Sequence, residues 1–194
     1  MKFINHFFSN FSKALKKIDL KKLEQSAILI ANTRKKKGRL FILGVGGSAG
    51  NSSHAVNDFR KLCNVEAYSP TDNVSEITAR TNDECFNSIF SEYLKVSKLN
   101  KKDLLLIFSV GGGNLNKNVS LNLIEAIKFA KKKKSKIISF VGKNDGYAYK
   151  ESNISILMSS PDKSYVTPVS EPMQAVLWHA LVSHPVLQKN KTKW

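Results

Sequence analysis

Leu40-Phe41-Ile42-Leu43-Gly44-Val45-Gly46-Gly47-Ser48-Ala49-Gly50-Asn51 is the stretch on which the fold class turns. Four consecutive apolar residues read as a buried strand. Glycines directly after it let the backbone approach an anion, and a helix starting at the turn offers its free N–H groups to a phosphate. Ser48 is placed to cap that helix or to donate to a ligand. The arrangement recurs downstream, where Leu104-Leu105-Leu106-Ile107-Phe108 runs into Ser109-Val110-Gly111-Gly112-Gly113-Asn114, with Asn118 and Ser120 ahead of the next helix. Two such turns would open on the same edge of a sheet, the edge where open α/β sheets hold ligands.

Outward from these turns, five apolar runs read as strands: Arg39 to Gly44, Val65 to Tyr68, Asp103 to Ser109, Lys136 to Val141 and Asn153 to Met158. Helix-length stretches lie between most of them (Ser48 to Leu62, Asp83 to Lys98, Val119 to Lys134), and a last helix is expected from about Pro172 to Ser183. Buried strands alternating with helices predict an α/β fold with a parallel sheet covered on both faces. From Phe3 to about Lys36, apolar residues recur at helical spacing with a break near Asp19, which makes residues 1–36 a helical N-terminal arm. At 194 residues, with no internal repeat or linker, the whole chain is expected to be one domain.

Apolar residues make up 42% and charged residues 24%, ordinary globular usage that argues against a disordered chain. No apolar run approaches the ~18 residues needed to span a bilayer, and the N-terminus lacks the pattern of a signal peptide, so the expectation is a soluble cytoplasmic protein with no membrane partner. Cys63 and Cys85 form no CxxC and are expected to be reduced and structural. The net charge of +16 (31 Lys+Arg against 15 Asp+Glu) raises nucleic acid as a partner. The arginines, however, are only Arg34, Arg39, Arg60 and Arg80, and lysine runs such as Lys35 to Lys37 and Lys131 to Lys134 suit helix C-termini. No specific nucleic-acid partner is expected.

Gly44, Gly46 and Ala49 also satisfy a loose dinucleotide fingerprint, with Glu66 about where a ribose-binding acid would lie. A nicotinamide enzyme leaves the second Ser/Gly turn and the polar residues of the first helix unexplained. A sugar phosphate fits both turns better. On that helix His54 and Asp58 stand at i, i+4, one face and ~6 Å apart, which suits a divalent metal or an acid/base pair. The last helix offers Glu171, Gln174, His179 and His184. Glu171 and His179 differ by about 80° and about 12 Å along an ideal helix and meet at one metal only with extended side chains, whereas Gln174 and His179 diverge by about 140°. Glu171 precedes Pro172 and is expected to be the N-cap, free to bend inward. His184 ends the helix, and His6 has only a core or surface reading.

Gly44-Val45-Gly46-Gly47-Ser48 with His54 and Asp58, Thr81-Asn82-Asp83 with Phe86-Asn87-Ser88-Ile89-Phe90-Ser91-x-Tyr93, the Ser109 turn and the late helix with His179 together resemble the sugar isomerase (SIS) domain. Within it they most resemble phosphoheptose isomerases, over about Phe3 to His184. The resemblance implies a flavodoxin-like five-stranded parallel sheet with helices on both faces, a homotetramer with its site between subunits, and zinc or another divalent metal. It implies catalytic roles for Asp58 and His179, metal ligation by His54, Asp58, Glu171 and His179, and substrate binding by Gly46, Gly47, Ser48, Asn51, Asp83, Ser109 and Ser120. The sequence departs from the family pattern in carrying Asp58 for Glu, Glu171 for Gln and a longer Gly111–Asn114 loop. The implied activity is aldose–ketose isomerisation of a sugar phosphate, sedoheptulose 7-phosphate to a glycero-manno-heptose 7-phosphate, for surface polysaccharide. The alternative is a non-catalytic SIS protein that binds a protein partner or senses a sugar phosphate.

Overall fold

The computed structural model describes residues 1–192. Five parallel strands stand in the order β2-β1-β3-β4-β5: β1 Leu40–Leu43, β2 Ala67–Tyr68, β3 Leu104–Ser109, β4 Lys136–Val141 and β5 Ile154–Leu157. The order reverses after β2, so β1 and β3 are neighbours and their glycine turns lie side by side at the carboxyl edge. In the strands, side chains alternate between two cores. Leu40, Ile42, Leu104, Leu106 and Phe108 face one, and Phe41, Leu43, Leu105 and Ile107 face the other.

The first core is covered by α1 (Lys2–Lys16), α2 (Leu20–Lys35), α3 (Gly47–Cys63) and a long last helix, α8 (Val166–Val182). The second is covered by α5 (Ile89–Val96), α6 (Leu121–Lys132) and α7 (Tyr147–Glu151), with α4 (Val74–Asp83) at its rim, packing Ile77 against it but without a buried residue. The arm breaks at Asp19, whose carboxylate caps α2 by accepting from Lys22 N at 3.1 Å. Arg34, near the end of α2, donates to the carbonyls of Cys63, Leu187 (2.6 Å) and Val186 (3.1 Å), tying the arm to the chain after α8. At the amino edge Asp103 is buried against Arg39 (2.8 Å), and that bond raises the arginine's already high pKa.

Two expected elements change, and two helices are new. The stretch from Asp83 to Lys98 is not one helix: α4 ends at Asp83, a loop holds residues 84–88, and α5 follows. Neither α4, which shares only Asp83 with that stretch, nor α7 was foreseen. The last helix begins six residues earlier than expected, so Pro172 lies inside it and Glu171 is a helical residue rather than its N-cap. A proline inside a helix lacks the N–H for the carbonyl four residues back and crowds that carbonyl with its ring; here the packing of Val169, Met173, Leu177 and Trp178 into the first core outweighs that cost.

Candidate active site

The turn after β1 is built for close approach. At Gly44 a Cβ would collide with the Ser48 carbonyl, and Gly46 holds φ +63°, a left-handed conformation at the N-cap of α3 that favours glycine. α3 then runs down the sheet against α8, and the two helices bring His54, Asp58 and His179 together. The Asp58 Oδ2 lies 3.6 Å from the Nε2 of His54 and 3.6 Å from the Nε2 of His179. The carboxylate is nearly buried while both imidazoles are more than half exposed, at 58% and 53%. His179 Nδ1 lies 2.8 Å from the Ala175 carbonyl and donates to it, which turns Nε2 toward Asp58. Trp178 Nε1 donates to Asp58 Oδ2 at 3.1 Å, and Asn57 Nδ2 donates to Oδ1 at 3.1 Å.

The ligand-capable atoms of His54, Asp58 and His179 lie within 4.8 Å of one another. Glu171, expected as a fourth ligand, is not with them. Its carboxylate lies over the first turn, where a Cβ on Gly47 would stand 2.6 Å from Oε2. Because Glu171 is locked in the helix, it cannot bend inward as an N-cap would, and its backbone carbonyl accepts from Asn51 Nδ2 at 3.0 Å.

The residues expected to hold substrate divide. Ser48 is turned inward: it is only 2% exposed, and its Oγ accepts from Gln174 Nε2 at 2.9 Å. Asn51 spends its amide on Glu171 and on Gln174 Oε1 at 2.8 Å. Both serve the α3–α8 contact, and Gln174 indeed diverges from His179. Ser109 Oγ accepts from Gly112 N at 2.9 Å and so shapes the second turn. Ser120 is different, with φ +51° at the start of α6 and no side-chain cap hydrogen bond. The longer loop between them is pinched by an antiparallel bridge from Asn114 to Val119. Asp83 ends α4 on the surface and accepts from Asn82 Nδ2 at 2.8 Å.

His184 pairs with Glu24 at 3.0 Å and accepts from Val186 N, and His6 lies against Tyr165 and Asp162. Neither approaches the cluster of three. Cys63 is buried and its thiol is pushed up to about 11 by burial, whereas Cys85 is exposed, which departs from its expected structural role. Trp178 was missed by sequence reasoning. A tryptophan in an apolar helix reads as core, yet a buried indole N–H needs an acceptor, and Asp58 on the facing helix was the carboxylate to consider.

Among the described residues no helix is long and apolar enough to cross a membrane. Residues 5–142 match the family model of the SIS domain. The phosphoheptose isomerase of Buchnera aphidicola subsp. Schizaphis graminum (strain Sg) is 31% identical over 177 residues, covering 89% of this chain and 85% of the relative. Phosphoheptose isomerase GmhA from Neisseria gonorrhoeae superimposes with a TM-score of 0.78 at 22% identity, over 93% of this chain and 94% of that one. The Vibrio vulnificus NanR protein, solved complexed with ManNAc-6P, superimposes with a TM-score of 0.63 at 15% identity, over 92% of this chain and 60% of that one. At these identities the two solved structures speak to the fold alone, and the shared sequence with the Buchnera protein carries the rest. The chain belongs to the SIS domain family, within its phosphoheptose isomerase branch, and is an isomerase by class.

Proposed function

We propose that this chain isomerises sedoheptulose 7-phosphate to a glycero-manno-heptose 7-phosphate, supplying heptose for surface polysaccharide. The observation that carries the reading is the meeting of a buried carboxylate with two exposed imidazoles, from two helices, one of which opens at the first glycine turn. The substrate follows the phosphoheptose isomerases to which the chain is similar, and a sugar phosphate is in keeping with the neighbour bound to ManNAc-6P.

The two ketose and aldose forms differ by the position of a carbonyl and one hydrogen, so the exchange is internal to the substrate. Asp58 takes the proton from the carbon next to the carbonyl, and the electron pair left behind forms the enediol double bond. His179 protonates the former carbonyl oxygen. The proton then returns to the neighbouring carbon as the other hydroxyl gives its own back to the imidazole. The donor set fits a divalent metal, zinc among them: a carboxylate stands between two imidazoles, and the Ala175 carbonyl orients His179 with Nε2 toward Asp58. His54, Asp58 and His179 would hold it, the proton transfers by Asp58 and His179 belonging to the metal-free site, and when bound it would supply a Lewis acid that polarises the substrate oxygens. On this reading the phosphate is taken by the Ser120 hydroxyl and the N–H groups that open α6, with the Gly46–Ser48 backbone facing it and Asn51 and Ser109 shaping the turns. Asp83 contacts the sugar.

We place the protein in the cytoplasm as a single domain assembled into a homotetramer. The exposed Phe3, Ile4, Phe8 and Leu15 of α1 support assembly, and the open imidazoles support a site completed by a neighbouring subunit. Incubation with sedoheptulose 7-phosphate, with and without a chelator, tests the reading. The heptose 7-phosphate should form, more slowly once metal is removed. If no heptose or pentose phosphate turns over, a non-catalytic sensor or partner-binding protein takes its place.

A further inference from the structure

Trp178 touches every member of the cluster. Its ring stacks on His179 at 5.0 Å and 29°, meets His54 edge-on at 5.3 Å and 64°, and rests on Phe108 at 5.9 Å and 24°. Its N–H reaches Asp58 Oδ2 at 3.1 Å. The indole is 1% exposed, so no water competes for that bond.

From these contacts we infer that Trp178 is a positioning residue, whose N–H sets the reach of the Asp58 carboxylate and whose ring sets the angles of both imidazoles. The inference rests on the isomerase reading of the cluster. Asp58 Oδ1 is held only by Asn57, the preceding residue on its own helix, and the two imidazoles at 3.6 Å are too far for strong hydrogen bonds. Among the described residues, the indole bond is therefore the one hydrogen bond that ties Asp58 to α8. A phenylalanine would fill most of the same space, so the N–H is the part of the side chain that core packing does not account for. Groups that orient a metal ligand typically carry about 10–100-fold in metal affinity or activity, and a displacement of about 1 Å at a reacting group costs about 10²-fold.

Trp178→Phe removes the donor and keeps an aromatic floor. We expect kcat to fall about 10–100-fold with KM changed by less than about threefold, and zinc affinity, read by chelator competition, to weaken by about 10–100-fold. Phe108→Leu is the packing control: it should lower Tm and leave zinc affinity unchanged. Should Trp178→Phe fail to fold, the benzothiophene isostere of tryptophan at position 178, in a Trp194→Phe background, deletes the N–H at constant shape. A third readout needs neither turnover nor metal. In ¹⁵N-labelled Trp194→Phe protein the single indole N–H resonance should lie downfield and move upfield in Asp58→Ala. Unchanged kcat and zinc affinity in the N–H-deleted protein overturn the positioning role while leaving a zinc-binding, active wild type as an isomerase. A wild type inert toward sugar phosphates and zinc overturns the isomerase reading instead. The indole resonance then decides the clamp: movement in Asp58→Ala retains it, and no movement overturns it.

Discussion

The two glycine turns look alike as sequence and do different work as structure. The turn after β1 is closed from above: Ser48 is buried on Gln174, Asn51 is held by Gln174 and the Glu171 carbonyl, and the Glu171 carboxylate covers Gly47. The turn after β3 is held from the side by the start of α7, where Tyr147 N and Ala148 N donate to the Gly113 and Gly112 carbonyls at 2.9 and 2.8 Å, and by a bridge within its own loop, and it leaves Ser120 uncommitted at the mouth of α6. On the proposed reading, the buried Ser48 serves the docking of α8 on α3, and the uncommitted Ser120 takes the phosphate.

The largest expected effect lies on the helix that the first turn opens. Asp58→Asn and His179→Gln should each lower turnover by about 10²–10⁴-fold with the fold intact by circular dichroism. Asp58→Asn with near-normal turnover would remove the base from this side of the comparison. Next comes the open turn. Ser120→Ala should weaken sugar-phosphate binding by the ~1.5–3 kcal/mol of one hydrogen bond to a charged group, about 10–150-fold by calorimetry, with little change in Tm. Ser48→Ala should do the reverse, leaving Gln174 Nε2 buried without its acceptor. Stability should drop by about 1–3 kcal/mol, or Tm by several degrees, while affinity for the substrate changes less than in Ser120→Ala. If the two serines exchanged these effects, the division between a docking turn and a binding turn would fall.

The smallest effect compares the far end of α3 with the loop before α5. Burial holds the Cys63 thiol up near 11, whereas hydrogen bonding from Ser88 and the backbone pulls the exposed Cys85 thiol below its ordinary value. At pH 8 a thiol reagent should therefore label Cys85 quickly and Cys63 only on unfolding. Equal labelling of both would show that the α3 end opens readily.

The strands and the Asp19 break were legible because they depend on local signals, apolar runs and a capping carboxylate, that no distant contact overrode. The shared face of His54 and Asp58 was legible for the same reason: four residues on a helix fix it. What escaped was decided across the chain. Pro172 reads locally as a helix start, but Val169 and the residues around it bury in the first core and carry the helix back to Val166. That shift alone moved Glu171 from a flexible cap to a fixed helical position away from the metal-capable trio. The commitment of Ser48 to Gln174, 126 residues later in the chain, leaves no trace in either segment read by itself.

The position of α8 after all five strands has a consequence for synthesis. All five strands precede Val166, yet α8 supplies His179, Trp178 and the lock on the first turn, and Arg34 waits for the carbonyls of Val186 and Leu187. A chain emerging from the ribosome can therefore pair its whole sheet while Ile42, Leu106, Phe108 and Phe140 still lack part of their cover. During that interval the nascent protein is a sticky half-sandwich in which His54 and Asp58 lack His179, and a stop codon before Val166 would make that state permanent.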